Sequence, residues 1–212
     1  MPAAAQGSSA EQLKQIIEKH WGYPRLRPFQ EQAMKAVLDG RDSLVVLPTG
    51  GGKSLCYQAP AVMREDTTVV VSPLISLMKD QVDSLRTCGV PAVQIDSSLA
   101  PEDRWDRAAA LRQGAIRLLF VAPERLVLPG FQGILREIGV RTFAIDEAHC
   151  ISHWGHDFRP EYRQLGQLKT MFPGSSVHAY TATATQRFSR TSLSSSACKI
   201  RKFLSAISIG PI

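Results

Sequence analysis

Residues 50–54, Gly-Gly-Gly-Lys-Ser, are the part of this sequence whose composition best suits the binding of a phosphate. They follow a short apolar run at residues 43–47 and precede a helical pattern that we predict to begin near Lys53. The backbone N–H groups of such a loop and the N-terminus of the helix attract negative charge. Lys53 can pair with the β- and γ-phosphates of a nucleotide, and the Ser54 hydroxyl can bind Mg²⁺. The alternative is a flexible glycine turn, which the position between strand and helix disfavours.

The loop departs from the strict phosphate-loop pattern, which is a glycine, four further residues and then Gly-Lys-Ser/Thr. Gly52, Lys53 and Ser54 supply the second half of that pattern, but Leu47 stands at the position of the first glycine. The loop alone therefore leaves open whether this is a nucleotide site. The predicted nucleotide contacts within the loop are Thr49, Gly50, Gly51, Gly52, Lys53 and Ser54.

A pair of acids, Asp146 and Glu147, directly follows the apolar run at residues 141–145. A carboxylate at the end of a strand can reach the Mg²⁺ ion of a phosphate loop. The next acid can orient and deprotonate an attacking water. Taken alone, the pair could equally be an acidic patch on the surface. Together with the loop it predicts an ATPase whose catalytic residues are Lys53, Asp146 and Glu147, with Ser54 and Asp146 as Mg²⁺ ligands.

Short β-rich apolar runs alternate with helical patterns along most of the chain. The runs lie at residues 43–47, 67–71, 92–95, 116–121, 141–145 and 176–180. Continuous apolar strands separated by helices indicate a parallel sheet covered on both faces. We therefore expect an α/β fold, a three-layer lobe with a mostly parallel central sheet. Ligands of such sheets bind at the carboxyl ends of the strands, where the chemical residues named above are found.

The composition is that of an ordinary soluble protein, with 212 residues, 44% hydrophobic and 21% charged. No apolar run approaches the ~18 residues of a membrane span, and the N-terminus lacks the features of a secretory signal. Four widely spaced cysteines without a C-x-x-C pair argue against a zinc site in the chain and suit a reducing compartment. We expect no membrane partner and a cytoplasmic location.

The formal net charge of +6 is concentrated in the C-terminal residues. Residues 186–212 contain five basic residues and no Asp or Glu, which leaves residues 1–185 at +1. The total charge is therefore not the main argument for a nucleic-acid partner.

The stretches PTGGGKS and DEAH, at residues 48–54 and 146–149, together resemble superfamily 2 helicases, whose phosphate loop lacks the first glycine. Further stretches resemble one family of these enzymes, the RecQ helicases, and appear in the family order. They are WGYPRLRPFQEQAM, VVVSPLISLMKDQ, FVAPERL, HCISHWGHDFRPEY and YTATAT. The chain is identified on these motifs as the first RecA-like, P-loop NTPase lobe of a RecQ-type DNA helicase. The resemblance implies ATP and Mg²⁺ as cofactors, DNA as partner and a location at the nucleoid.

The first of these stretches resembles the adenine-recognition motif of the family. The Gln30 amide can both donate to and accept from the adenine edge, while Tyr23 and Arg27 offer flat faces on which the base can stack. Leu26 stands where the family often has Phe, a departure that leaves Arg27 and Gln30 in place. The start of an amphipathic helix is the alternative interpretation.

The other stretches imply residues that contact DNA or couple it to hydrolysis. Trp154 and Phe158 could stack on single-stranded bases, at about 1–3 kcal/mol per base, and Arg159 could report their occupancy to the ATP site. Packing under a loop is the alternative for either aromatic side chain alone. The complete set of candidates is Ser72, Lys79, Gln81, His149, Trp154, His156, Phe158, Arg159, Thr181 and Thr183. For Lys79 and Gln81 a solvated helix face is the alternative.

Enzymes of this class hold ATP between two lobes, and the second supplies an arginine that stabilises the transferred phosphoryl group. Neither that motif nor a zinc-binding or winged-helix module is recognisable in these residues. Two interpretations remain: the ATP-binding lobe of a 3′–5′ DNA helicase, or a nucleotide- and weak DNA-binding module that does not unwind DNA. A P-loop kinase or transport ATPase is disfavoured because neither explains the stretch HWGHDFRP.

The resemblance covers about residues 10–187 and then stops. We expect residues 1–9 to be flexible, residues 10–187 to form the ATP-binding lobe, and the Ser-rich, basic residues 188–212 to be poorly ordered. Codons can be chosen for the last segment so that another reading frame continues the family pattern. The sequence therefore leaves a frameshift after about residue 187 and a genuine truncation as alternatives, which sequencing of the gene distinguishes.

Overall fold

The protein structure, a computed structural model, describes residues 9–96, 99–151 and 160–182. Its strands are β1 Ser43–Val46, β2 Thr68–Val71, β3 Ala92–Ile95, β4 Leu118–Val121, β5 Thr142–Ile145 and β6 Ser176–Thr181. Its helices are α1 Ser9–Trp21, α2 Pro28–Leu38, α3 Leu55–Arg64, α4 Ile75–Thr87, α5 Pro101–Arg112, α6 Pro123–Leu126, α7 Pro129–Glu137 and α8 Leu168–Met171. Two 3₁₀ helices cover Ala148–Ile151 and Pro160–Gln167.

The strands form one sheet in the order β1-β6-β5-β2-β4-β3, and every pairing among these described strands is parallel. The predicted α/β class with a parallel sheet is thus confirmed. Val71 is in register with Val121 on one side and with Ile145 on the other. The ends of β2, β4 and β5 therefore lie side by side, which brings the segments that follow them to one edge.

Helices cover both faces of the sheet. Successive side chains of a strand point to opposite faces, so one strand contributes to the apolar packing on both. Val69 and Val71 belong to one buried apolar cluster together with residues of α5, α7 and α8. Val70, between them, belongs to a second cluster with residues of α1, α2, α3 and α4. The three layers expected from the apolar runs are present.

The helix after the glycine loop starts later than predicted. We expected it to begin near Lys53, but α3 begins at Leu55, with Ser54 as its N-cap residue. Gly52 has a φ of +77°, a left-handed conformation that a right-handed helix cannot include. Gly52 is thereby excluded from the helix, and Lys53 and Ser54 form the entry to it.

Several predictions concern residues that the structure does not describe. The segment 1–9, which we expect to be flexible, lies outside the described residues except for Ser9, which begins α1. The tail at 188–212 and the candidates Trp154, His156, Phe158, Arg159 and Thr183 also lie outside them. In the described part of the chain, no helix has both the length and the apolar character that a membrane span requires.

A buried histidine at the start of β6 makes the stability of the fold depend on pH. His178 lies between the hydroxyl groups of Ser43 (Nδ1 to Oγ, 2.8 Å) and Ser176 (Nε2 to Oγ, 2.9 Å). Burial lowers the pKa of His178 to about 4; the positive charges of Arg64 and Lys169 act in the same direction, and Asp42 opposes them. Folding therefore favours the neutral imidazole.

We expect a loss of stability on acidification that depends on His178. The pKa of a histidine in the unfolded chain is about 6.5, so the stabilisation from the neutral His178 is fully present above that pH. It is lost as the pH falls towards 4, which lowers the free energy of unfolding by about 3 kcal/mol. Urea unfolding at several pH values between 7.5 and 4 measures it in the wild type and in His178→Gln, which should have a flatter profile. Parallel profiles would contradict the prediction.

Candidate nucleotide-binding site

A cleft of about 310 Å³ opens at the carboxyl edge of the sheet. It is lined by residues of the loop after β1, of α4, and of the segment after β5. These residues are Gly50, Gly52, Lys53, Ser54, Leu77, Gln81, Asp146 and Glu147. The fold thus brings the glycine loop and the acidic pair, more than ninety residues apart in sequence, to one cavity.

The glycines of the loop meet two different requirements. Gly50 and Gly52 have φ values of +75° and +77°, which favour glycine. Gly51 lies so close to the preceding turn that a Cβ there would be 2.8 Å from the Pro48 carbonyl oxygen, and a Cβ on Gly52 would collide with Gln30 Nε2. Side chains at these positions would strain the loop or displace its neighbours.

The Leu47 position explains why the first glycine of the strict pattern is absent. Its side chain is buried in the apolar cluster beneath the loop. Its N–H donates to the Thr181 carbonyl at 3.1 Å, which continues the pairing of β1 with β6. Leu47 therefore belongs to the end of the sheet, and the loop proper begins after it.

Lys53 points back into its own loop. Its Nζ donates to the carbonyl oxygens of Leu47 at 3.1 Å and Pro48 at 3.4 Å. This places the ammonium group on the wall of the cleft, beside the glycines.

The adenine-motif residues Arg27 and Gln30 are hydrogen-bonded to the glycine loop. Gln30 is 6% exposed, accepts a hydrogen bond from the Arg27 N–H at 3.0 Å and donates Nε2 to the Gly52 carbonyl at 3.3 Å. The Arg27 guanidinium donates to the Gly50 carbonyl at 3.2 Å. The Tyr23 ring is 53% exposed. The N-terminal helices therefore position two of the three candidates against the loop and leave the third accessible.

Asp146 is 4% exposed, and both its carboxylate oxygens accept hydrogen bonds. Oδ1 accepts from the Glu147 N–H at 3.1 Å, and Oδ2 accepts from Gln81 Nε2 at 3.4 Å. Burial raises the pKa of the Asp146 carboxyl and the Glu147 carboxylate adds to the rise, whereas these two donors and the positive charge of Lys53 oppose it. The site therefore combines a desolvated carboxylate with groups that stabilise its charge.

Glu147 has a left-handed backbone, with φ of +47°. This conformation costs a residue with a Cβ about 1 kcal/mol. Hydrogen bonds on both sides of the Asp146 peptide hold the turn, because Tyr162 donates its hydroxyl to the Asp146 carbonyl at 3.2 Å and Asp146 donates its N–H to Val71 at 2.9 Å. Glu147 follows this bonded peptide and is one of the residues that line the cleft.

His149 connects the acidic pair to the end of β6. Its Nδ1 is 3.1 Å from Glu147 Oε2 and 3.3 Å from Thr181 Oγ1. The structure therefore brings two residues of the DEAH stretch together with Thr181, which the sequence placed in a separate motif.

The candidates for DNA contact in the stretch after β2 have different environments. Ser72 is fully buried, and its N–H extends the sheet by donating to the Val121 carbonyl at 3.1 Å. Gln81 faces Asp146 inside the cleft. Lys79 is exposed and pairs with Asp83 at 3.4 Å. Of the three, Lys79 is the one whose side chain is exposed to solvent.

Two tyrosines at the site were missed by the sequence analysis. Tyr57 donates its hydroxyl to Gln81 Oε1 at 2.9 Å, and Tyr162 contacts the Asp146 carbonyl as described above. Both are fully buried. The available signal was a ring with a polar end inside an apolar pattern, because a buried Tyr hydroxyl usually needs a partner.

The donor set suits Mg²⁺. Asp146 and Ser54 provide hard oxygen atoms on one cleft, and no group of three or more His, Cys, Asp or Glu in the described part of the chain could hold a metal by itself. Mg²⁺ is typically bound by one or two carboxylates, water and substrate phosphates. The residues present therefore fit this ion as a companion of a nucleotide.

A parallel sheet whose glycine loop faces an Asp-Glu pair is the arrangement of a RecA-like P-loop NTPase lobe. A family model described as DEAD/DEAH box helicase matches residues 27–191. The chain belongs to the DEAD/DEAH box helicase family.

Comparison with similar proteins confirms the resemblance to RecQ helicases. The chain is 48% identical over 169 residues to the ATP-dependent DNA helicase RecQ of Pasteurella multocida, which covers 80% of this chain and 27% of the relative. It is 46% identical over 172 residues to that of Bacillus subtilis, covering 80% and 29%. The chain thus spans less than a third of the length of these curated relatives.

A solved structure, the DUF1998 helicase MrfA bound to DNA and AMPPNP, shares the fold. The TM-score is 0.65 at 20% sequence identity, and the match covers 88% of this chain and 27% of the other.

Proposed function

We propose that this chain is the ATP-binding lobe of a RecQ-type 3′–5′ DNA helicase, in which ATP hydrolysis drives the unwinding of DNA. The observation that carries the proposal is the meeting of Lys53, Ser54, Asp146 and Glu147 on one cleft. The relatives named as ATP-dependent DNA helicases RecQ support the same activity. The lobe extends over residues 10–187, and its place of action is the cytoplasm, at the nucleoid.

The residues of the cleft have complementary roles towards ATP. The loop N–H groups and Lys53 bind the phosphates, and Ser54 and Asp146 hold Mg²⁺, which supplies positive charge to the phosphate oxygens when bound. Glu147 orients a water and accepts its proton. Gln30 recognises the adenine edge, with Tyr23 and Arg27 stacking on the base. Because Gln30 and Arg27 also contact loop carbonyls, recognition of the base and the loop conformation are linked.

The contact of His149 with Glu147 and Thr181 supports a route from the ATP site towards DNA. On this proposal Thr181 and Thr183 connect hydrolysis to the DNA side. Trp154, His156, Phe158 and Arg159 sense a bound single strand, and Lys79 contacts its backbone. MrfA, which has the same fold, is described as bound to DNA and AMPPNP together.

The second candidate function is a nucleotide- and weak DNA-binding module that does not unwind DNA. It is favoured for this chain alone because a helicase of this class closes ATP between two lobes, and the arginine of the second lobe is worth about 10³–10⁵ in rate. One lobe cannot make the cyclic movement that opens a duplex.

An ATPase and strand-separation assay on this polypeptide distinguishes the two functions. We expect binding of a fluorescent ATP analogue, without strand separation and without stimulation of hydrolysis by single-stranded DNA, until a second lobe is supplied. DNA-stimulated turnover by the chain alone would establish the enzyme and contradict the module. Failure to bind any adenine nucleotide would contradict both.

A further inference from the structure

Tyr57 lies behind the wall of the nucleotide cleft and contacts it through Gln81, a residue that lines the cleft. It lies in the first turn of α3, and its side chain is fully buried. The ring packs edge-on against Tyr180, with 5.1 Å between the centroids and 62° between the planes. The hydroxyl donates to Gln81 Oε1 at 2.9 Å. Because packing fixes the ring, the hydroxyl has a fixed direction.

Gln81 continues this contact to the acidic pair. Its Nε2 donates to Asp146 Oδ2 at 3.4 Å, while Asp146 Oδ1 accepts the Glu147 N–H at 3.1 Å. A carboxylate can only accept, so the nitrogen end of the amide must face Asp146. The oxygen end then needs a donor, and Tyr57 supplies it.

We propose that Tyr57 is a positioning residue for the binding of Mg²⁺–nucleotide, acting through Gln81 on the Asp146 carboxylate. The inference rests on the proposed ATP-binding function. The terminal torsion of an aspartate is broad, so the carboxylate plane is set by its hydrogen-bond partners. Without the Tyr57 hydroxyl, Gln81 Oε1 loses its donor and the amide can turn into the cleft that it lines. Asp146 then keeps one of its two orienting bonds.

Tyr180 offers a matched control. It belongs to the same buried cluster and is as fully buried as Tyr57. Its hydroxyl has no hydrogen-bond partner among the described residues. Tyr180→Phe therefore removes the same atom from the same ring pair and leaves the contacts of Gln81 intact.

The test measures nucleotide binding as a function of Mg²⁺. The affinity for a fluorescent ATP analogue is determined in EDTA and along a Mg²⁺ titration, for the wild type, Tyr57→Phe, Tyr180→Phe, Gln81→Met and the variant with both Tyr57→Phe and Gln81→Met. Tyr57→Phe should raise the Mg²⁺ midpoint about three- to tenfold, the size expected for one lost neutral hydrogen bond. Its affinity in EDTA and its Tm should match those of Tyr180→Phe.

Gln81→Met should raise the midpoint about tenfold, as removal of a group that orients a metal ligand does. The double variant should be no worse than Gln81→Met, because Tyr57 acts through Gln81. A wild-type midpoint in Tyr57→Phe or in Gln81→Met overturns the inference and leaves the proposed function standing. Equal losses in EDTA and in Mg²⁺ overturn it too, because they indicate a general packing role. A wild type that binds nucleotide without any effect of Mg²⁺ contradicts the proposed Mg²⁺ site, and the inference fails with it.

Discussion

Replacing Lys53 by alanine should lower the affinity of the chain for an ATP analogue at least about 100-fold, since hydrogen bonds to charged groups contribute about 1.5–3 kcal/mol each. The Lys53 ammonium lies on the wall of the cleft, beside the loop glycines. Its removal takes away the positive charge that the β- and γ-phosphates would meet. Equilibrium titration with a fluorescent analogue in Mg²⁺ measures the change.

Lys35→Ala is the matched control for the lost charge. Lys35 is 71% exposed on α2 and pairs with Asp39 at 3.5 Å, away from the cleft residues. This variant should bind like the wild type. Lys53 also donates to the carbonyl oxygens of Leu47 and Pro48, so its removal can destabilise the loop. Comparison of the Tm of the two variants shows whether Lys53→Ala is still folded. Wild-type affinity in a folded Lys53→Ala protein would contradict the assignment of this loop to the nucleotide site.

Replacing Glu147 by glutamine should reduce ATP turnover by about 10²–10⁴ in a two-lobed protein that carries this lobe, because an amide cannot accept the proton of the attacking water. The left-handed backbone of Glu147 and the bonds around the Asp146 peptide do not involve the replaced atom. Nucleotide affinity should therefore be retained. Steady-state hydrolysis and analogue binding are measured on the same preparation.

Glu137→Gln controls for the change of charge. Glu137 forms a surface pair with Arg112, at 2.9 Å, and its side chain is 54% exposed. Its turnover should be that of the wild type. If Glu147→Gln hydrolysed ATP at the wild-type rate, the general base would have to be another group. Loss of binding together with turnover would instead assign Glu147 to nucleotide or metal retention.

The meeting of the candidate nucleotide-binding residues on one cleft was largely predictable because they belong to local patterns. A glycine loop between strand and helix and an acidic pair after a strand are each visible over fewer than ten residues. Parallel strands then place their carboxyl ends at one edge, so the meeting of Lys53 with Asp146 and Glu147 follows from the order of apolar runs.

The surroundings of Ser72 and Gln81 were not predictable in this way. Both lie in a stretch for which the sequence analysis predicts contacts with DNA. Yet Ser72 is enclosed at the end of β2, and Gln81 turns towards Asp146. The direction of a side chain on a helix depends on how the helix packs, which depends on residues far away in sequence such as Tyr57.

The sequence by itself determined the class of this lobe: the succession of strands and helices, the glycine loop after β1 and the acids that face it. Only the tertiary structure decided which side chains support those groups. Gln30 contacts Gly52, His149 connects Glu147 with Thr181, and Tyr57 holds Gln81. The physical reason is the separation in sequence over which each kind of interaction acts. Backbone periodicity and turn chemistry act between near neighbours in the chain, whereas a hydrogen bond between side chains forms wherever packing brings a donor within about 3 Å of an acceptor.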